Sequence, residues 1–251
     1  MVIWFTPYVV ASIVHVVLLG VAVDGPAVPV TKGALMPLLA IAVITTVLHR
    51  TRPGSRSVPR TEAEPTTRWP TWLAPALVAL TFSWFGDVAL DGSRGTRFLI
   101  GIGFFLIAQL AYIVTFRRVN DPSSTSSRPW LVGPYVAWYV GFLAYFLVAN
   151  GPEPLLAAVA VYGVALGAMA FLAHRVNVVT AVGAASFLIS DSLIGLNGFA
   201  GLELPLYGVW VMSTYLLGQA LIVTGLLRLE ATGQVDHHRP VPARGNRTPS
   251  A

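Results

Sequence analysis

The sequence predicts an all-α polytopic membrane protein with eight transmembrane helices in one bundle. Of its residues, 55% are hydrophobic and only 11% are charged, whereas soluble domains are roughly 25% charged. Apolar stretches of about 20 residues recur along the whole chain, and each is long enough to cross a ~30 Å hydrocarbon core as a helix. The connections on one side are short, so we expect consecutive spans to be antiparallel neighbours in a single bundle.

The predicted spans follow one another from the first residues to about residue 227. They cover residues 3–23, 31–49, 71–90, 98–116, 130–149, 154–173, 178–199 and 205–227. The first has no basic segment before it and no clear cleavage site after it, so we interpret it as a span and not as a signal peptide. Residues 1–230 are therefore the predicted membrane domain.

The polar segments between the spans and after them carry no predicted domain. Residues 51–70 and 120–129 are rich in Pro, Ser and Arg, a composition that cannot bury enough apolar surface to fold alone. The tail, residues 231–251, has the same character and is predicted to be disordered and cytoplasmic.

The basic residues lie on one side of the predicted bundle. Those between or after the spans on this side are Arg50, Arg52, Arg56, Arg60, Arg68, Arg117, Arg118, Arg128, Arg175, Arg228, Arg239, Arg244 and Arg247. Only Lys32, Arg94 and Arg97 belong to the opposite loops. By the positive-inside rule both termini are predicted to be cytoplasmic, in a cell membrane. This distribution accounts for the net charge of +5, so no nucleic-acid partner is predicted.

Several kinds of catalytic centre are excluded by the residue types. The chain has no cysteine, which excludes disulfides, thiolate catalysis and thiolate metal sites. Among the histidines only His15 is predicted to lie within the membrane, since His49 and His174 lie at its cytoplasmic face and His237 and His238 in the tail. No cluster has metal-ligand spacing. No G-x-S-x-G motif is present. We therefore predict neither a metal nor a cofactor.

A faint internal repeat relates the two halves of the chain. The paired strings are PYVVASIV (7–14) with PYVAWYVG (134–141), WFGDVAL (84–90) with LISDSLI (188–194), and AQLAYIVTF (108–116) with GQALIVTGL (218–226). Spans four apart run in the same direction, so these strings favour a parallel four-plus-four repeat. Such a repeat would make Asp87 and Asp191 equivalent and would place them opposite each other across the bundle.

Four polar side chains fall in the outer half of the predicted spans: Asp87, Asp191, His15 and Lys32. Asp87 is about three residues, or ~5 Å, from the outer end of span three, and Asp191 about eight residues, or ~12 Å, from that of span seven. An ionisable side chain inside a membrane costs at least ~2.5 kcal/mol on insertion scales, so its presence favours a functional role. Their similar depth predicts a shared cavity.

Most of these polar residues also have a structural interpretation. Lys32 suits an interface anchor, His15 a core histidine bonded to a neighbour, and Asp87 a solvated carboxylate near the interface. Gln109 and Gln219 lie mid-span and suit hydrogen bonds between helices as well as contact with a substrate. Asp191 is deeper, and nothing in its stretch SFLISDSLIGL neutralises it locally.

Two carboxylates in unlike environments can divide the roles of acid and of base or charge stabiliser. This division suits acid-catalysed hydrolysis through a cationic transition state, the route by which acetals, glycosides and vinyl ethers break. The same aspartates suit a proton- or cation-coupled transporter of small molecules or lipids. A structural or lipid-binding membrane protein is a third interpretation, and the residues alone do not separate the three.

Five strings occur in the order and positions of a known family. They are TKGALMPLL (31–39), GDVAL (86–90), GFFLIAQLAYIVTF (103–116), GAASFLISDSLIGLNGF (183–199) and TYLLGQALIVTG (214–225). Together they resemble the YhhN family of membrane lysoplasmalogenases over spans two to eight. The resemblance implies an eight-span hydrolase that cleaves the vinyl ether of a lysoplasmalogen, a lysophospholipid of the bilayer, and releases a fatty aldehyde and a glycerophospho-alcohol.

The resemblance also implies site residues. Asp87 and Asp191 match the family's two aspartates and are the expected catalytic pair. The expected substrate-binding residues are Lys32, Gln109, Tyr112, Asn197 and Gln219. The chain departs from the family pattern in having Lys32-Gly33 for Lys-Pro, and Gln109 where a histidine commonly precedes the span-four tyrosine. The second departure concerns head-group or proton-transfer chemistry. The head group, the oligomeric state and the identity of the acid stay open.

Overall fold

A computed structural model of the chain describes residues 2–22, 25–51, 69–90, 96–119, 129–152, 154–201 and 203–231. These residues form eight α-helices and one short 3-10 turn, Pro129–Leu131. The helices are α1 (Val2–Gly20), α2 (Ala27–Thr51), α3 (Leu73–Leu90), α4 (Thr96–Val119), α5 (Val132–Asn150), α6 (Pro154–Ala173), α7 (Val178–Ala200) and α8 (Tyr207–Ala231). All eight are long and apolar enough to cross a membrane, so the predicted all-α membrane bundle is confirmed.

Each helix overlaps one predicted span. The polar segments 52–68 and 120–128 and the tail from residue 232 lie outside the described residues, so the predictions made for them stay predictions. The four-plus-four repeat is likewise not confirmed. Because the helices alternate in direction, we call the end of the bundle at Val2 and Ala231 the terminal face, and the opposite end the loop face.

The helices pack in two close pairs, α3 with α4 and α7 with α8. Helices α1 and α2 join the pairs on one side, where α1 contacts α8 and α2 contacts α3. Helix α6 joins them on the other side, against α4 and α7. Helix α5 lies outermost against α6 and α7, and Phe146 is its only fully buried residue. The interior is therefore built chiefly from α3, α4, α7 and α8.

Helices α7 and α8 approach closely because glycine faces glycine. A Cβ atom on Gly218 would lie 2.9 Å from the carbonyl oxygen of Gly183 and 2.9 Å from the nitrogen of Phe187. Two hydroxyls add bonds across the same seam: Ser186 Oγ donates to the Thr214 carbonyl at 2.8 Å, and Ser190 Oγ donates to that of Val211 at 3.0 Å. Small residues and hydroxyls are what holds helices together where lipid offers no hydrophobic driving force.

The ends of α7 are fixed by local hydrogen bonds. Asn177 caps its first turn by accepting from the Thr180 N–H at 2.9 Å, and its Nδ2 donates to the Gly225 carbonyl of α8 at 2.9 Å. At the other end Gly201 has φ 65°, and its N–H donates to the Leu196 carbonyl. Glycine adopts this left-handed conformation without steric cost. The caps set the bounds of the helix that carries Asp191.

A proline inside α2 is compensated by a tryptophan of α3. Pro37 has no N–H, so the carbonyl of Gly33, four residues earlier, lacks its helical partner. Trp84 Nε1 donates to that carbonyl at 2.8 Å. An unpaired carbonyl at membrane depth is costly, so this bond holds α2 and α3 together at the level of Lys32.

Basic side chains at the terminal face bind helix ends. Arg50 Nη1 donates to the Leu227 carbonyl at 2.6 Å, and Arg118 Nη1 donates to that of Thr71 at 3.1 Å. Just beyond α6, His174 Nε2 lies 2.7 Å from the hydroxyl of Tyr135, and partial burial lowers the pKa of His174. This shift favours the neutral form of His174, while Arg50 and Arg118 carry positive charge at this face.

Candidate active site

Asp87 and Asp191 both lie inside the bundle. Asp87 is 3% exposed and Asp191 5% exposed, although Asp87 is close to the end of α3 at Leu90. Asp191 lies nine residues before the end of α7 at Ala200, about 14 Å along the helix at 1.5 Å per residue. A buried carboxylate requires hydrogen-bond donors, and each aspartate takes them from a different set of helices.

Asp191 is held by side chains from α4 and α6. Its Oδ2 accepts a hydrogen bond from Gln109 Nε2 at 2.9 Å and another from the Tyr162 hydroxyl. Its other oxygen, Oδ1, is buried and has no hydrogen-bond partner among the described residues, and the same is true of Gln109 Oε1. One carboxylate oxygen is thus doubly paired while the other is left for a different partner.

Asp87 is held from the opposite side of the interior. The hydroxyl of Tyr215, on α8, donates to Asp87 Oδ2 at 2.8 Å. The residue before it, Gly86, lets the ring of Phe105 lie against the α3 backbone, since a Cβ at that position would be 2.7 Å from the ring. The environment of Asp87 therefore includes a tyrosine hydroxyl and an aromatic ring.

An aromatic cluster stands between the partners of the two carboxylates. The rings of Phe105, Phe187 and Tyr215 make edge-to-face contacts, with centroids 5.7 to 6.3 Å apart. Phe105 lies one turn from Gln109 on α4, and Phe187 one turn from Asp191 on α7, so these rings share helix faces with the polar residues. The two carboxylates consequently occupy different environments, as a division of acid and base roles requires.

A second polar layer lies one turn closer to the terminal face. The Tyr112 hydroxyl donates to Gln219 Oε1, and Gln219 Nε2 donates to Ser83 Oγ at 3.0 Å. Ser83 precedes Asp87 by one turn of α3, and Gln219 follows Tyr215 by one turn of α8. The structure thus brings the predicted residues Tyr112 and Gln219 together, bonded to each other. Their predicted role in substrate binding stays a prediction.

The remaining predicted residues lie toward the loop face. Lys32 is half-buried near the start of α2, and Asn197 is half-buried in α7, six residues beyond Asp191. His15 is buried, and its Nδ1 lies 2.8 Å from Thr31 Oγ1, which confirms the interpretation of His15 as a core histidine bonded to a neighbour. Arg97 is exposed at the start of α4, while Arg94 lies outside the described residues.

Sequence reasoning missed the donors Tyr162 and Tyr215 and the acceptor Ser83. A signal for two of them exists in the spacing: Ser83 precedes Asp87 by four residues, and Tyr215 precedes Gln219 by four. Polar side chains four residues apart share one face of a helix, so polar pairs inside apolar helices mark the faces that meet. Tyr162 carries no such mark, because the rest of α6 is apolar or glycine.

The described residues offer no metal-binding cluster, and their apolar groove is lined by residues other than those of this site. Among the described residues no group of three or more His, Asp or Glu side chains could hold a metal ion. A groove of about 640 Å³ lies between α5 and α6 and is lined by apolar residues such as Val140, Leu143 and Leu156. Its lining includes neither aspartate.

The eight apolar helices of the described residues enclose two buried aspartates, which is the architecture of a polytopic membrane protein with carboxylates in its interior. Residues 27–226 match the YhhN family, and the chain belongs to that family, as its motifs predict. It is 35% identical over 169 residues to proteins named lysoplasmalogenase from Mycobacterium bovis and Mycobacterium tuberculosis. The aligned segment covers 65% of this chain and 63% of each relative, less than two thirds of the relatives' length. No solved structure matches the chain.

Proposed function

We propose that this protein is a membrane hydrolase that cleaves the vinyl ether bond of lysoplasmalogen-type lysophospholipids. The products are a fatty aldehyde and a glycerophospho-alcohol. The observation that carries the proposal is the pair of buried carboxylates, each with its own hydrogen-bond donors in the bundle interior. The similarity to mycobacterial proteins named lysoplasmalogenase supports the substrate class.

Asp191 is the acid in this mechanism. Both donors to its carboxyl group bind Oδ2, which leaves Oδ1 to carry a transferable proton. A neutral carboxylic acid is also cheaper to bury than an ion. The proton moves from Oδ1 to the vinyl carbon remote from the ether oxygen, and the electron pair of the double bond forms the new C–H bond. Gln109 and Tyr162 then stabilise the carboxylate that remains.

Asp87 is the ionised partner. Protonation of the alkene leaves an oxocarbenium-like cation, which a nearby carboxylate stabilises. Water adds to the carbon bonded to oxygen, and a proton from that water returns to a carboxylate. The resulting hemiacetal collapses to the aldehyde and the alcohol. Tyr215 keeps the Asp87 carboxylate in position by donating to its Oδ2.

The head group binds nearer the loop face. Lys32 and Arg97 are cations near the loop-face ends of α2 and α4, where they would pair with the lipid phosphate. Asn197 lies in the same outer part of α7 and offers an amide to the head group. The arginines of the terminal face support an orientation with both termini in the cytoplasm. In that orientation the head-group site would lie on the outer side of a cell membrane.

The test is aldehyde release from choline and ethanolamine lysoplasmalogens by the purified protein in detergent. Asp87→Asn and Asp191→Asn each replace a carboxylate by an amide of nearly the same size. Each should lower the rate by about 100-fold or more, since general acid–base catalysis raises rates by about 10² to 10⁴-fold. Glu203→Gln removes an exposed carboxylate of the loop face and should leave the rate unchanged.

Folding is checked by the thermal unfolding of each variant, so that loss of activity is not confused with loss of structure. The proposal would be overturned if folded wild-type protein released no aldehyde from either the choline or the ethanolamine lysoplasmalogen. Substrate-dependent proton flux in sealed vesicles would then favour a transporter that uses the same aspartates.

A further inference from the structure

Two hydrogen-bond acceptors at the Asp191 site have no donor in the described part of the chain. Gln109 is wholly buried, and its Nε2 donates to Asp191 Oδ2 at 2.9 Å. The other end of the same amide, Oε1, and the other oxygen of the same carboxylate, Oδ1, are both buried without a partner. One hydrogen bond joins the two side chains, and each side chain contributes one unpaired acceptor.

The orientation of the Gln109 amide follows from its surroundings. If the amide were turned over, its carbonyl oxygen would face Asp191 Oδ2, which is an acceptor that already receives the Tyr162 hydroxyl. Two acceptors in contact repel, whereas the N–H of an amide suits a carboxylate oxygen. The carbonyl of Gln109 is therefore the end that faces away from Oδ2.

Buried polar atoms in native proteins almost always have a partner, either in the protein or in ordered water. A buried water forms about three hydrogen bonds to groups that the protein leaves unsatisfied. Water carries two O–H donors, which is the number that Gln109 Oε1 and Asp191 Oδ1 accept together once Asp191 has given up its proton; before that, the Oδ1 hydroxyl donates to the water and Gln109 Oε1 accepts from it. An alcohol carries a single donor and satisfies only one of them.

We propose that Gln109 Oε1 and Asp191 Oδ1 hold the water that adds to the substrate. The inference rests on the proposed function, which it deepens by assigning the nucleophile a place. Once Asp191 has given its proton to the vinyl carbon, the ionised Oδ1 accepts one hydrogen of this water and Gln109 Oε1 accepts the other. As the water oxygen bonds to the cationic carbon, its proton passes to Oδ1, so Asp191 regains the proton that it donated.

The choice between water and methanol as nucleophile tests this assignment. In a water–methanol mixture, methanol capture of the cation gives a mixed acetal, and water capture gives aldehyde. The wild-type site should select water, because methanol satisfies only one acceptor. Gln109→Met keeps the length of the side chain but removes its acceptor and donor, and it should raise the acetal-to-aldehyde ratio several-fold. Gln109→His retains one donor and one acceptor and should restore much of the selectivity.

The outcome separates this role from two others. If Gln109 only contacts the substrate, Gln109→Met raises KM and leaves the product ratio at the wild-type value, which would overturn the inference. If Gln109 only stabilises packing, the variant unfolds at lower temperature with the same unchanged ratio. Gln219→Met serves as the comparison for the unfolding temperature, because this variant loses the hydrogen bonds that Gln219 makes with Tyr112 and Ser83.

A second measurement does not depend on activity. An experimental structure of the wild-type protein should show a water within hydrogen-bond distance, about 2.7 to 3.2 Å, of both Gln109 Oε1 and Asp191 Oδ1. The same structure of Gln109→Met should lack it. A wild-type structure in which a protein side chain occupies this position would overturn the inference even if aldehyde is released. A water there without aldehyde release would instead count against the proposed function alone.

Discussion

At the scale of single residues, the chain stabilises each buried aspartate with a tyrosine from another helix. Tyr162 donates to Asp191 and Tyr215 to Asp87. Hydrogen bonds to a charged group contribute about 1.5–3 kcal/mol, which is more than most neutral pairs. In the proposed mechanism this contribution grows for Asp191 as the proton leaves, because the carboxylate becomes ionised only during the reaction. Such a bond would favour the transition state over the bound substrate and raise kcat.

We therefore expect Tyr162→Phe to lower kcat by about tenfold or more with little change in KM, since 1.4 kcal/mol corresponds to a factor of ten. Steady-state kinetics of aldehyde release measures both constants. Tyr139→Phe is the matched control, because it removes a hydroxyl that bonds the Ala160 carbonyl at 3.2 Å, between α5 and α6. An equal loss of kcat in the two variants would contradict a specific role for Tyr162.

At the scale of helices, the seam between α7 and α8 determines how close the two halves of the site lie. Helix α7 carries Asp191, and α8 carries Tyr215, the donor to Asp87. The backbones touch at Gly183 and Gly218, where no Cβ fits. Any residue larger than glycine at either position should move α7 and α8 apart. Asp191, on α7, would then move relative to Tyr215 on α8, the donor to Asp87.

Gly218→Ala should therefore destabilise the protein by about 1–3 kcal/mol, the usual cost of overpacking, and should lower activity as well. Thermal unfolding in detergent measures the first effect, and aldehyde release the second. Gly103→Ala is the control, because its Cβ meets no atom within 4 Å and alanine is the better helix former. If Gly218→Ala unfolds at the wild-type temperature, the glycine contact does not hold the seam.

At the scale of the whole molecule, the absence of cysteine makes the proposed orientation measurable with single introduced thiols. Glu203 is exposed between α7 and α8 at the loop face, and His174 is exposed between α6 and α7 at the terminal face. Each can be replaced by a single cysteine. A membrane-impermeant thiol reagent should label Glu203→Cys in intact cells and His174→Cys only after the membrane is opened. The reverse pattern would place the termini outside.

The sequence predicts the fold more fully than the site, for a physical reason. Apolar length alone identifies a span, so all eight helices are visible in the chain. Asp87 and Asp191 are visible because a charge inside an apolar span is costly. Tyr162 is not, since a tyrosine in a membrane helix is equally typical of an interface anchor, and Tyr215 is marked only by its spacing of four residues from Gln219. Which helix faces which is decided by packing, and packing alone makes these tyrosines donors.

The bond from Trp84 to the Gly33 carbonyl has a consequence for how this sequence can vary. The carbonyl needs an outside donor only because Pro37 offers no N–H, and it belongs to the backbone, so it is present whatever side chain occupies position 33. The Lys-Pro pattern in place of Lys32-Gly33 would keep it. In a homologue that loses the proline at position 37, the helix regains its own donor and the indole becomes dispensable. Positions 37 and 84 are thus expected to change together through evolution, while position 33 changes freely.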